Sequence, residues 1–197
     1  MNYLAHIALA GENPEHQVGG LLGDFVRGPL RGEFSAGVET GILAHRKLDV
    51  FVDQQPEVRS FLQRFSSPMR RYAGIVADVF YDHLLACNWH SYYQQPLNSF
   101  CENFYGHLQA YEHQLPLRAQ IFLRRAPSIG WLQSYAEEDH LPVILQNIGE
   151  RLRRPVALQE ALPVIEQHRA GIGEEFVQLY PRLQAFVSTT LHEINLN

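Results

Sequence analysis

A chain of 197 residues with 46% hydrophobic side chains has enough material for one fairly large domain with a sizeable core, or for two small ones. A net charge of -5 and a pI near 6.0 argue against a general nucleic-acid binder, which carries a basic excess. Two cysteines, Cys87 and Cys101, with no C-x-x-C spacing exclude a disulfide scaffold and a zinc finger.

The opening stretch MNYLAHIALAGENPEH has no basic residue ahead of its short apolar run, unlike a signal peptide. No run of about 18 apolar residues is present to span a membrane. A reducing cytoplasm and no membrane partner are therefore expected. Residues 2–10 read as a short apolar helix ended by Gly11 and an Asn-Pro turn, and 14–27 as a second, with Pro14 in its first turn and Gly28-Pro29 as its stop. His6 is a lone histidine in an apolar segment, a position more often filled by a hydrogen-bonded core residue than by a ligand. In VGGLLGDFVRG, Gly19, Gly20 and Gly23 each cost about 1 kcal/mol in a helix relative to Ala. Three together predict close backbone approach, to another helix or to a bound group. Asp24, directly after them, is either a ligand or an ordinary helix-end carboxylate.

The loop GPLRGEF leads into a helix predicted over 35–54. Its stripe at steps of four and three is Val38, Ile42, His45, Asp49, Val52, so ionisable groups stand where core residues belong. A histidine and an aspartate at i and i+4 lean over one helix face, which is a ligand geometry. The same pair could also hydrogen-bond one another or an arginine. Pro56 opens a shorter helix to about Phe65, and Ser66-Ser67-Pro68 is a start signal for a long central helix.

That central stretch, RRYAGIVADVFYDHLLACNW at 71–90, repeats the oddity. Its stripe is Ile75, Asp78, Asp82, Leu85, Trp89, with His83 beside the second carboxylate. An isolated buried carboxylate costs several kcal/mol, so ionised aspartates there need a cation or strong partners. A metal centre and a pair of salt bridges to arginines both satisfy that demand. Beyond Tyr93, helices are expected over 97–114, from Pro116, over 137–151 and over 157–194, with irregular chain at 126–136 and a kink near Gly171, Gly173 or Pro181. No alternating run closed by a hairpin turn occurs. One all-α domain, a helical bundle, is the expected fold.

Asp24, His45, Asp49, Asp78, Asp82 and His83 all fall within the first 90 residues, on three predicted helices. Burying four aspartates together without a cation is unfavourable, because like charges raise one another's pKa. A mixed His/Asp set suits Mn²⁺, Fe²⁺ or Zn²⁺, and the carboxylate richness leans toward Mn²⁺ or Mg²⁺. Such a site acidifies water and clamps phosphoryl oxygens, the equipment for phosphoester hydrolysis.

MNYLAHIALA, GGLLGDFVRG at 19–28, GILAHRKLDVFVDQQP at 41–56, ADVFYDHLLACNW at 77–89 and QLYPRL at 178–183 together resemble the acyl carrier protein phosphodiesterase family, in its order and spacing and over most of the chain. The resemblance implies an all-helical fold like that of HD-domain metal-dependent phosphohydrolases. It implies an enzyme that removes the 4′-phosphopantetheine arm from holo acyl carrier protein, leaves a free serine, and requires Mn²⁺. One departure stands out: no contiguous His-Asp pair is present, and Asp82-His83 runs in the reverse order. With the residue reading, this makes Asp24, His45, Asp78 and Asp82 the expected metal ligands, and His6, Asp49 and His83 ligands or their supports. Mg²⁺ and Fe²⁺ are alternatives to Mn²⁺. Asp24 is also expected in catalysis, His83 or His6 is expected to protonate the leaving serine oxygen, and Arg27 and Arg46 to meet phosphate oxygens. Carrier proteins of this kind are acidic, so attraction to a net-negative enzyme must be local. Residues 1–71 hold eight cations, among them Lys47, the only lysine, against eight acidic groups. The competing expectations are a hydrolase of another phosphoester, such as a nucleotide, and a non-enzymatic helical binding protein.

Overall fold

The structure, a computed structural model, describes residues 1–196. These form nine α-helices joined by turns, with no strand among the described residues. In chain order they are α1 (Tyr3–Leu9), α2 (Pro14–Leu22), α3 (Ala36–Asp53), α4 (Pro56–Gln63), α5 (Ala73–Cys87), α6 (Leu97–Ala110), α7 (Leu117–Arg125), α8 (Leu141–Glu150) and α9 (Leu162–Asn195). The all-α expectation holds. None of these helices is long and apolar enough to cross a membrane.

Local chemistry sets most helix starts. The Asn13 side chain accepts from the N–H groups of Glu15 and His16 ahead of Pro14, and Ser35 caps α3 through the Val38 N–H. Several boundaries differ from the sequence reading, two of them beside the residues of interest. Helix α2 stops at Leu22 instead of Arg27, and Asp24, Phe25 and Val26 close tight turns onto the Leu21 and Leu22 carbonyls. Ser66-Ser67-Pro68 feeds a short turn at Met69–Arg71, so α5 begins only at Ala73. Helix α9 runs on through Pro181, as the sequence reading had it.

The three-glycine segment explains how α2 and α3 meet. A Cβ on Gly19 would lie 2.2 Å from the Val38 carbonyl oxygen and 2.7 Å from the Gly41 Cα; one on Gly41 would lie 2.4 Å from the His16 carbonyl oxygen. The two backbones touch directly, the helix-to-helix alternative of the sequence reading. Helix α9 lies against α3, α4 and α5. Phe186 stacks on Phe51 at 4.0 Å, and Arg64 makes a bidentate pair with Glu175 at 2.8 and 3.0 Å. Trp89, Tyr81, Phe61, Phe80, Phe104 and Phe176 fill one contiguous apolar core.

Helix α5 holds the start of α1. Asp82 is fully buried, and its carboxylate accepts the N–H groups of Asn2 at 3.1 Å, Leu4 at 2.7 Å and Ala5 at 3.3 Å. Burial pushes its pKa up to about 7, against the pull of the Met1 ammonium and the three N–H groups. One turn earlier on the same face, Asp78 takes the Met1 amino group at 2.6 Å. The first turn of α1 is thus capped by a carboxylate from a distant helix, which satisfies N–H groups that a helix start leaves open. This fixes where His6, one turn further along α1, can sit.

Asp82→Ala leaves three donors without their acceptor, those of Leu4 and Ala5 buried, and unfolding in urea should show a loss of about 3 kcal/mol or more. Asp78→Ala, at a half-exposed carboxylate, should lose far less. Equal losses in the two variants would contradict this account of α1.

Candidate metal centre

The site starts from one imidazole on α3. His45 is buried, and its Nδ1 lies 2.7 Å from the Gly20 carbonyl oxygen at the end of α2. A carbonyl can only accept, so Nδ1 carries the hydrogen and Nε2 is left with a lone pair in the neutral ring. That Nε2 faces Asp49 Oδ2 at 3.3 Å and Asp24 Oδ1 at 4.0 Å. The ring can lie there only because residue 23 is glycine: a Cβ on Gly23 would be 2.1 Å from His45 Cγ and 2.3 Å from Cδ2.

A second imidazole comes from α1. His6 stacks on His45 with ring centroids 3.7 Å apart and an interplanar angle of 22°, and its Nε2 lies 3.2 Å from Asp49 Oδ1. Asp49 therefore faces one histidine with each oxygen. The ligand atoms of His6, His45 and Asp49 all lie within 4.8 Å of one another. His6 Nδ1 is buried without a hydrogen-bond partner.

The electrostatics follow from this packing. Burial, with His45 adjacent, lowers the His6 pKa to about 3, against the attraction of Asp49. Burial also works against a charged His45, but the Asp49 hydrogen bond and charge, the Asp24 charge and the Gly20 carbonyl outweigh it and raise that pKa. Burial alone would raise Asp49; hydrogen bonds from His45 and His6 hold it well below the usual carboxylate range. Burial raises Asp24, with His45 pulling the other way.

This donor set fits a divalent cation. The Nε2 atoms of two stacked imidazoles and the Asp49 carboxylate converge on a small space that either hydrogen bonds or one cation can fill. Ligand atoms about 2.1 Å from one ion stand about 3.0 Å apart at a right angle and about 3.4 Å apart at the tetrahedral angle. The Nε2-to-carboxylate separations of 3.2 and 3.3 Å fall inside that interval. A histidine whose second nitrogen is tied to a backbone carbonyl is the usual support for a metal ligand.

Other expected ligands stand elsewhere. Asp82 has both oxygens taken by the start of α1, so it caps a helix and has no lone pair aimed at the histidines. Asp78 holds the Met1 amino group, although it shares with Asp24 a polar cavity of about 180 Å³ bordered by Tyr3, Trp131 and Arg151. His83 is turned away altogether: its Nδ1 donates to the Tyr135 carbonyl at 2.8 Å, and its ring lies beside Cys87. Neighbours on a helix point about 100° apart, so an Asp82 that faces α1 sends His83 toward a different element. Arg46 donates to the Val26 carbonyl at 2.8 Å, two residues from Asp24, while Arg27 is exposed. Neither Asp24 nor Asp49 pairs with an arginine among the described residues, unlike the salt-bridge alternative. Residue patterns missed the Gly20 carbonyl and underweighted His6; Gly23 carried a signal, as the third glycine of a helix-disfavouring segment.

A family model described as acyl carrier protein phosphodiesterase matches residues 1–183. Relatives bearing that same name come from several bacteria. One from Yersinia pestis is 33% identical over 184 residues, covering 93% of this chain and 95% of its own. One from Photorhabdus laumondii is 35% identical over 185 residues, 92% of each chain. One from Escherichia coli O157:H7 is 34% identical over 189 residues, 95% of this chain and 98% of its own. No solved structure matches.

Adding a methyl group at Gly23 should displace His45. In calorimetry, Gly23→Ala is expected to bind Mn²⁺ at least tenfold more weakly than the parent. Gly74→Ala, whose Cβ would meet nothing within 4 Å, should bind it normally. Undiminished affinity in Gly23→Ala would mean that the His45 position is unrelated to metal binding.

Proposed function

The chain belongs to the acyl carrier protein phosphodiesterase family, and from that premise we propose that it hydrolyses the phosphodiester joining 4′-phosphopantetheine to the serine of holo acyl carrier protein, using a divalent cation held by His6, His45 and Asp49. The observation that carries the metal assignment is the His45 ring, with Nδ1 committed to the Gly20 carbonyl and Nε2 turned on two carboxylates. Two imidazoles in the set favour Mn²⁺, Fe²⁺ or Zn²⁺ over Mg²⁺, which prefers oxygen ligands. Mn²⁺ is the cation that the family resemblance implies. When bound, such an ion acidifies water to near-neutral pKa and offsets charge on phosphoryl oxygens.

The residues divide the remaining work. Gly20 keeps His45 in the tautomer that presents Nε2, and Asp49 orients both rings. Arg46 is anchored through one N–H on the Val26 carbonyl and has further donors for a phosphoryl oxygen at the rim. The leaving serine oxygen needs a proton. His83 is engaged with Tyr135 and His6 faces Asp49 as a proposed ligand, so we give the proton to neither of them. Asp24 remains: half-exposed, 4.0 Å from His45, with a pKa raised by burial, it is placed to carry a proton between water and the leaving group. A cytoplasmic setting accords with Cys87 and Cys101, both free thiols.

Incubation of holo carrier protein with the enzyme and Mn²⁺, read by intact mass, should show loss of the phosphopantetheine group. His45→Ala and Asp49→Ala should lower the rate at least a thousandfold, and Asp78→Asn should keep much of it. Full Mn²⁺-dependent activity in Asp49→Ala would remove the cluster from the mechanism.

A further inference from the structure

The inner face of α3 carries His45 and Asp49, and its outer face carries something different. Val50 is 60% exposed and Leu43 38% exposed, both large apolar side chains in contact with water. Phe51 lies flat on Phe186 of α9, with an interplanar angle of 7°. Together with Arg46, Lys47 and Gln54 these residues line an open groove of about 390 Å³. Its floor is hydrocarbon, and the only charges on its walls are the cations of Arg46 and Lys47. Among the described residues neither makes an ion pair, while other arginines of the α3–α9 region, Arg64 and Arg182, do. On a protein of net charge -5, an apolar groove rimmed only by positive charge is a local exception.

The groove adjoins the candidate metal centre around the helix. At about 100° per residue, Val50 follows Asp49 by less than a third of a turn, and Arg46 falls between them. Arg46 both lines the groove and reaches the Val26 carbonyl, two residues from Asp24. A body lying in the groove would therefore touch the same arginine that reaches the segment carrying Asp24.

We propose that this groove docks the carrier protein itself, through an acidic amphipathic helix laid along α3, its apolar side on Leu43, Val50 and Phe186 and its carboxylates at Arg46 and Lys47. The assignment rests on the proposed function, because the scissile phosphodiester is joined to a serine of that partner and draws it to this helix. Charge selects the occupant. A second copy related by two-fold symmetry would set Arg46 and Lys47 against themselves, a like-charge arrangement. An acyl chain would fill the floor but leave both cations without a counter-charge. An acidic helix with one apolar face answers both demands, in the helix-in-groove mode.

The test uses the Mn²⁺-loaded full chain with Lys47→Glu and Val50→Asp, both at exposed positions that leave the core intact. KM for holo carrier should rise tenfold or more in each, with kcat within about twofold and Mn²⁺ affinity unchanged; parent KM should also rise with salt. Unchanged KM in both variants, with an active parent, overturns the docking site and leaves the proposed function standing. If the parent itself leaves holo carrier intact, the proposed function fails, and calorimetric titration with apo carrier decides the groove separately. Binding to the parent that is lost in the variants supports it; no binding, or equal binding, overturns it. A parent dimer that Val50→Asp converts to monomers, with KM unchanged, would make the groove a self-interface and overturn the proposal as well.

Discussion

The carbonyl of Gly20 decides which nitrogen of His45 faces the carboxylates, and the chemistry of the site follows from that hydrogen bond. With Nδ1 committed, a neutral His45 turns a lone pair on Asp49 and Asp24, and His6 stacks against it at 3.7 Å. Charging both rings is unfavourable: two unit charges about 4 Å apart repel by about 4 kcal/mol at an effective dielectric of about 20, and His6 is desolvated besides. One divalent cation satisfies both imidazoles and the carboxylate together. That convergence is the ground on which we propose a metal here in place of a closed hydrogen-bond network.

The scaffold is built to deliver those two rings. On one side, Gly19 and Gly41 let α2 and α3 approach at backbone contact, and Gly23 clears the space into which the His45 ring fits. On the other, Asp82 and Asp78 of α5 grip the first turn of α1, so that His6 arrives over His45. The carboxylates that face these helices thus do two kinds of work. Asp49 orients histidines, while Asp82 substitutes for helix-capping groups that α1 lacks in its own sequence beyond Asn2. The outer face of α3 then offers apolar surface and positive charge beside the same centre, on a chain that is otherwise net negative.

Much of this was legible in the residues, and the misses have specific causes. Helical periodicity sufficed for the all-α fold, and the i,i+4 spacing of His45 and Asp49 pointed to two of the three clustered residues because it is a property of one helix. The glycines of VGGLLG announced a close approach that α2 and α3 make. The same periodicity grouped Asp78 and Asp82 with the ligands, whereas the structure sets them against the Met1 amino group and the start of α1. A stripe shows that a carboxylate is buried, not what satisfies it, and the N–H groups of a distant helix start leave no mark in a side-chain pattern. His83 was carried along by adjacency to Asp82, although one residue of rotation takes it to Tyr135. His6 was underweighted for the opposite reason: its partners, His45 and Asp49, lie some forty residues away, and no local spacing connects them.

The most direct test of the account is anomalous diffraction at the manganese edge from crystals grown with Mn²⁺. A single strong peak bounded by His6 Nε2, His45 Nε2 and Asp49 is predicted, with the Gly20 carbonyl still bonded to His45 Nδ1. A peak beside Asp78 and Asp82 instead, or none while the two histidines keep their stacked pose, would contradict it.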